Sequence, residues 1–316
     1  MQILNWKIQP ELKKEIDSHY RTDFAISLKD SNPVEIIKKI TFDNVAPNIT
    51  IIDVKKFFKY INKNFLNKKI KGVGLEVGAG PGFFSAVLAD NKKVEKIYAV
   101  EVCENIVTEL MPVIADFVLG KKKSEKVVGV VGEFNNLELK DNSVDFVFDF
   151  FSLHHSNDLQ KTLSEIHRVL KPGGVIFCFD KARADYLKED DLKNMLDKEY
   201  SEEAKKNMGV DVKERLTRRM NGEQEFRLKD WKKYFMLTNF SNFEHYNIAR
   251  SDSNNFFVRI LKNIFSKLPP KIQIFFTSKF IDPDKETYND LSSENRVYTK
   301  LVNNFPKEIS LIIGTK

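Results

Sequence analysis

Leu75-Glu-Val-Gly-Ala-Gly-Pro-Gly82 decides how this chain is read. Its apolar start reads as the end of a buried strand, its middle as a glycine-rich turn, and Phe83-Phe84-Ser85 opens a helix. Gly78, Gly80 and Gly82 stand at alternate positions and carry no Cβ, so their backbone can pass very close to a ligand. Such a turn delivers its ligand to the carboxyl end of a strand, where open α/β sheets bind. Glu76 is the unusual member: a carboxylate here suits a cationic ligand better than a phosphate. The spacing is also Gly-x-Gly-x-Gly rather than the Gly-x-Gly-x-x-Gly of dinucleotide-binding turns.

Outward from this stretch, short apolar runs alternate with helical patterns. Val73 to Val77, Lys96 to Val102, Val127 to Val131, Val144 to Phe150 and Val175 to Phe179 read as strands. Between them, Phe83 to Ala89, Glu104 to Val118 (with Pro112 as a kink or restart) and Asp158 to Leu170 read as helices, the last with Leu159, Leu163, Ile166 and Leu170 on one face. Lys171-Pro-Gly-Gly174 carries helix-stop residues. The alternation predicts an α/β fold with a mostly parallel sheet covered on both faces. Before it, Asp53 is the expected cap of a helix carrying Val54, Phe57, Phe58, Ile61 and Phe65. After it, residues 181–224 are highly charged, with helices expected at Leu187 to Tyr200 and Asp211 to Met220. Leu228 to Leu237 resumes as helix, and Phe243 to Ile248 and Ile309 to Gly314 as strands.

The 316 residues, 42% hydrophobic and 30% charged, are ample for one elaborated domain. Cys103 and Cys178 sit at strand positions, which argues against disulfides or a cysteine metal site, and no metal is expected. The start lacks the apolar run of a signal peptide, and no segment has the roughly 20 apolar residues of a membrane helix. A cytoplasmic protein is expected. The net charge of +6 is compatible with an anionic partner, but acidic residues are interspersed, and a generally lysine-rich composition explains it.

Taken together, these stretches resemble the class I S-adenosylmethionine-dependent methyltransferases, with a methyltransferase type 11/25-like domain. The resemblance covers residues 70–180 well, and 228–249 with 309–315 loosely. Its motifs are Glu76 to Gly82, Glu101 closing the second strand, Gly132-Glu133-Phe134 after the third, Asp149-Phe-Phe-Ser-Leu-His-His155 leaving the fourth, and Arg168-Val-Leu-Lys-Pro-Gly-Gly174 before the fifth. It implies a Rossmann-like seven-stranded sheet whose last strand is antiparallel, and S-adenosylmethionine as cofactor. The residues it implies for the cofactor are Glu76, Gly78, Ala79, Gly80, Gly82, Glu101, Val102, Glu133, Phe134, Asp149 and Phe150. Glu101 would take the ribose hydroxyls, chemistry a carboxylate at a strand end performs well. Glu133 would take the adenine amine, where the family has Asp.

On the same basis, residues 1–69 are expected as an N-terminal helical cap and 70–180 as the cofactor-binding core. Residues 181–226 are expected as a helical lid, 227–249 with 309–316 as completion of the sheet, and 250–308 as a second insertion for substrate or interaction. His154 and His155 are candidate general bases, since imidazole titrates near neutrality. The competing reading, a structural pair packed on the insertion, is preferred, because displacement at an activated sulfonium needs mainly positioning. Glu223 to Trp231 weakly resembles small-molecule methyltransferases, including ones acting on sugars of surface polysaccharides. His19 and Tyr20 are possible pocket residues. The basic amphipathic stretch 257–268 could lie on an anionic membrane, but is expected to pack its apolar face on its own domain. The leading expectation is therefore an enzyme methylating a small molecule, such as a sugar or polysaccharide precursor. An RNA methyltransferase and a non-catalytic binding or scaffold protein are the alternatives. Asp149-Phe-Phe-Ser152 replaces the Asn/Asp-Pro-Pro-aromatic motif of amino-group nucleic-acid methylases.

Overall fold

The computed structural model of the chain describes residues 1–12, 26–42, 48–284, 290–305 and 308–316. His19 and Tyr20 lie outside the described residues. The strands are β1 (Gln2–Asn5), β2 (Gly72–Val77), β3 (Val94–Glu101), β4 (Val127–Val131), β5 (Val144–Phe150), β6 (Leu170–Phe179), β7 (Asn242–Arg250), β8 (Arg296–Thr299) and β9 (Ile309–Thr315). They form one sheet in the order β1-β4-β3-β2-β5-β6-β9-β7-β8. β9 runs antiparallel to its neighbours β6 and β7, and the other pairings are parallel.

The expected seven strands are the central ones, from β4 through to β7. The sheet has nine because β1 and β8 extend its two edges. Each of these has only four residues, too few to show a period of two in the sequence. The N-terminal segment is thus part of the sheet as well as a cap: β1 pairs with β4, and Trp6 donates its backbone N–H to Val131.

The main helices are α1 (Ile51–Asn64), α2 (Phe83–Ala89), α3 (Met111–Leu119), α4 (Leu159–Val169), α5 (Glu189–Asp197), α6 (Glu202–Asn207), α7 (Leu228–Leu237), α8 (Phe256–Phe265) and α9 (Pro270–Lys279). Pleating sends alternate residues of Val-Asp-Phe-Val-Phe-Asp-Phe150 to opposite faces. Phe146 and Phe148 join Phe177 and Phe179 on one face, against Phe57 and Phe58 of α1. Phe58 meets Phe148, and Phe57 meets Phe179, at ring separations of 5.2 Å. On the other face Val147, Ile176 and Cys178 pack against α4 and against Trp231 and Phe235 of α7. Each such side chain contributes about 1.5–3 kcal/mol on burial. Cys103 and Cys178 are both buried.

Several boundaries differ from expectation for physical reasons. Thr50, not Asp53, caps α1: Thr50 Oγ1 accepts from the Asp53 N–H while Asp53 accepts from the Thr50 N–H, a reciprocal box. Pro112 does restart a helix, occupying an early position of α3 where its missing N–H costs nothing. Residues 211–220 form turns rather than a helix. Of the apolar face expected to pack inward at 257–268, Phe265 is buried and Leu268 half-buried, whereas Phe257, Ile260, Leu261 and Ile264 are exposed. No helix among the described residues is long and apolar enough to cross a membrane.

Trp231 is fully buried and donates its indole N–H to the Lys181 carbonyl at 2.9 Å, locking α7 to the end of β6. Trp231→Ala is expected to cost about 3–5 kcal/mol in urea unfolding. A loss below about 1 kcal/mol would contradict its role as the anchor of that face.

Candidate functional site

The carboxyl ends of β4, β3, β2 and β5 lie side by side, and each carries part of the site. The turn after β2 has positive φ at Gly78 (62°), Gly80 (50°) and Gly82 (73°). A Cβ on Gly78 would stand 2.3 Å from Ser152 Oγ, and one on Gly82 would stand 2.6 Å from Met111 Cγ. Both glycines are therefore demanded by neighbours as well as by backbone conformation. At Gly80 the space is open, with the Ile40 methyl 3.7 Å from the same construction.

Glu101 fixes this turn. Its Oε2 accepts the Gly80 N–H at 3.0 Å, and its Oε1 accepts the N–H groups of Val102 and Cys103 at 3.0 and 3.1 Å. The carboxylate is half-buried, leaving acceptor capacity toward solvent. Ala79 is buried and donates its N–H to Val100. At the end of β4, Glu133 is buried, and its Oε2 has no hydrogen-bond partner among the described residues. An unpaired buried acceptor is costly, so this atom is suited to a donor brought by a ligand. The Phe134 ring approaches the glycine turn, 3.5 Å from where a Gly78 Cβ would sit.

Glu76 lies beneath the turn rather than in the groove. It is buried and accepts a hydrogen bond from the Ser85 hydroxyl, joining β2 to the first turn of α2. Burial pushes its pKa up to about 8; Ser85 works against the shift and the charge of Glu101 adds to it. Asp149 is likewise buried, its Oδ1 accepting the N–H groups of Ser152 and Leu153, so its side chain shapes the turn after β5. Burial, then the charge of Asp180, raises its pKa well above the usual carboxylate range. Phe150 is half-buried, with its ring 4.3 Å from Phe84. Phe151 follows with φ 54°, a left-handed conformation that is strained for an aromatic residue.

His154 and His155 occupy a short turn whose rings lie 4.4 Å apart. His154 is buried: Nδ1 lies 2.8 Å from Asp180 Oδ1, and its backbone N–H donates to Asp180 Oδ2. The residues returning from the 181–226 segment cover it. Gln224 N–H donates to the His154 carbonyl, and Glu223 Oε2 is 3.8 Å from Nε2. Lys181 lies 3.4 Å from Nε2 and 2.5 Å from Glu223, which also binds Arg218 and the Tyr200 hydroxyl. His155 is half-buried near Gly222 of the same segment.

The structure thus sets Gly78, Gly80, Glu101, Glu133 and Phe134 at the carboxyl ends of the adjacent strands β2, β3 and β4, an end termed the groove, with Ala79, Val102 and Gly82 beside them. It places Glu76 and the side chain of Asp149 behind that groove. Sequence reading missed Ser152, whose hydroxyl donates to the Gly78 carbonyl at 3.0 Å, and Trp6, which lies against Gly132. It also missed the Asp180–Lys181–Glu223 cluster. Ser152 stood inside a quoted motif and could have been found; pairs more than forty residues apart leave no local signal. Among the described residues, no His, Cys, Asp or Glu cluster could hold a metal ion. A cavity of about 430 Å³ is lined by Lys55, Lys59, Lys63, Lys93 and Ile70. It opens by the amino-terminal starts of β2 and β3, away from the groove.

Part of the chain is similar to known proteins. Residues 75–178 match the family described as "Methyltransferase domain". Malonyl-[acyl-carrier protein] O-methyltransferase 1 of Coxiella burnetii is 40% identical over 92 residues, covering 29% of this chain and 32% of that protein. Demethylmenaquinone methyltransferase of Staphylococcus epidermidis is 40% identical over 68 residues, covering 21% of this chain and 28% of that protein. The match therefore spans about a third or less of these relatives. Among solved structures, the YcgJ protein of a Bacillus species aligns with TM-score 0.47 and 17% identity, over 83% of this chain and 97% of that one.

The buried carboxyl of Glu76 gives a signed pH dependence. Its pKa rises from 4.5 to about 8 on folding, so between these values the native state holds a proton that the unfolded chain has released. Stability from this group is present below its unfolded pKa and falls as pH rises through about 8, by up to ~1.4 kcal/mol per unit. Glu76→Gln should remove this slope, so that urea unfolding between pH 5.5 and 7.5 shows the variant gaining on the parent. Parallel pH profiles would refute the assignment.

Proposed function

We propose that residues 75–178, which match a methyltransferase domain family, form a class I S-adenosylmethionine-dependent methyltransferase domain and that the chain methylates a small-molecule acceptor. The observation that carries this is the Glu133 Oε2 with no hydrogen-bond partner among the described residues, together with Glu101 holding the open Gly80 turn on the neighbouring strand. The donor set fits a nucleoside with a cationic tail. Glu133 would accept from the adenine amine, Glu101 would accept from the ribose hydroxyls, and the Gly78–Gly80 backbone would take the tail. The carboxylates also give the groove a negative field that favours a cation.

When bound, the cofactor supplies a methyl group already activated as a sulfonium. The protein's work is to align an acceptor with it and to exclude water. Phe150 and Phe151 present apolar surface at the end of β5, and the 181–226 segment covers the adjoining edge. His154 acts as a positioning residue: Asp180 holds its Nδ1, and Lys181 with Glu223 occupies its Nε2 side. The sugar or polysaccharide precursor is the finer acceptor proposal, in a cytoplasmic setting. Its sequence basis is weakened, because Trp231 is a core anchor and Glu223 is committed to ion pairs. The lysine-lined cavity lies at the opposite edge from the groove, so it offers no support for an RNA acceptor.

Calorimetry with S-adenosylmethionine should show binding, and Glu101→Ala or Glu133→Ala should weaken it by one to two orders of magnitude, ~1.5–3 kcal/mol for a charged hydrogen-bond partner. No heat at millimolar ligand would overturn the enzyme reading in favour of a scaffold. In an assay with labelled methyl donor, His154→Ala is expected to lower kcat less than about tenfold while reducing stability by ~1–3 kcal/mol. A fall of ~100-fold with stability unchanged would instead make His154 the general base.

A further inference from the structure

The helical hairpin α8–α9 is amphipathic in an inverted sense. The side it turns to the sheet is largely polar. Lys262 pairs with Asp284 at 2.7 Å and donates to the Asp252 carbonyl. Gln273 is fully buried and accepts the Tyr298 N–H of β8 at 2.8 Å, while Phe265 packs on the Tyr298 ring. The outer side is apolar. Phe256 (58% exposed), Phe257 (75%) and Ile264 are exposed on α8, and Phe275, Phe276 and Phe280 (67%) at α9. The rings form continuous groups, with Phe275 5.7 Å from Phe276 and 5.6 Å from Phe280. An exposed apolar surface of this extent marks an interaction site.

The charge pattern selects the partner. From Phe256 to Ile281 there is no Asp or Glu, whereas Arg259, Lys267, Lys271 and Lys279 are exposed around the apolar surface. Arg259 stands over the Phe256 ring at 5.8 Å and Lys279 over the Phe275 ring at 5.1 Å. A second copy of the chain would bring like charges together across a two-fold axis. An anionic lipid surface satisfies both features, with headgroups for the basic rim and the acyl boundary for the phenylalanines. Each helix has 10 residues, about 15 Å long, so the hairpin can lie in the interface but not span it.

We propose that α8–α9 docks this protein peripherally on membranes containing anionic phospholipid. The inference rests on the hairpin alone and is independent of methyl transfer. The full chain should sediment with vesicles of phosphatidylcholine mixed with phosphatidylglycerol, and much less with phosphatidylcholine alone or at high salt. Arg259→Ala and Lys271→Ala should each lower partitioning about fivefold, the equivalent of ~1 kcal/mol per basic residue. Phe257→Ser with Phe280→Ser should lower it at least about tenfold, with an unchanged melting temperature because these rings are 75% and 67% exposed. No sedimentation with either vesicle, or undiminished sedimentation of the double variant, would overturn the proposal. So would a lipid-free dimer that the same substitutions dissolve, which would assign the face to a second copy.

Discussion

Three backbone N–H groups converge on the carboxylate of Glu101, and the geometry of the groove depends on them. A glycine-rich turn has more conformational freedom than any other stretch, so its shape must be imposed from outside. Glu101 imposes it from the end of the neighbouring strand, and Ser152 holds the Gly78 carbonyl from the strand on the other side. The turn is thereby pinned between β3 and β5, the neighbours that flank β2 in the sheet. Parallel packing of three strands is thus the condition for the groove as well as for the core.

Below the groove, the acidic residues divide into two kinds. Glu76 and Asp149 are buried, raised in pKa and committed to holding the first turn of α2 and the turn after β5. Glu101 and Glu133 retain acceptor capacity. The difference is one of position along the strands: Glu76 lies within β2, whereas Glu101 ends β3 and Glu133 follows β4. Carboxylates at or after the strand ends keep acceptor capacity, and those inside the strands are spent on Ser85 and on the turn after β5. Burial raises the pKa of both carboxyls through loss of solvent.

Much of the fold was legible because its signals are local. The period-two phenylalanines of β5, the helical spacing of Leu159, Leu163 and Ile166, and the restart at Pro112 all lie within a few residues of one another. The short edge strands β1 and β8 were not legible, since four residues carry too little pattern and are placed by pairing with distant partners. The lid's second expected helix failed for a related reason: residues 211–220 are drawn into turns by contacts such as Lys205 with the Glu214 carbonyl. Side-chain hydrogen bonds to the backbone overrode local helix propensity there.

By itself, the sequence determined the α/β class, the order of the central strands' elements and the identity of the glycine turn with Glu101 and Glu133. These follow from hydrophobic period and from residues whose chemistry is used close to where they stand. Only the tertiary structure decided which carboxylates face the groove, that His154 is enclosed between Asp180 and Glu223, and that the apolar face of α8 points outward. Amphipathicity states that a helix has two faces; it does not state which is turned toward the body. Here Lys262 and Gln273 hold that orientation by pairing with Asp284 and the buried Tyr298 N–H, because polar groups inside cost most when their partners are taken away.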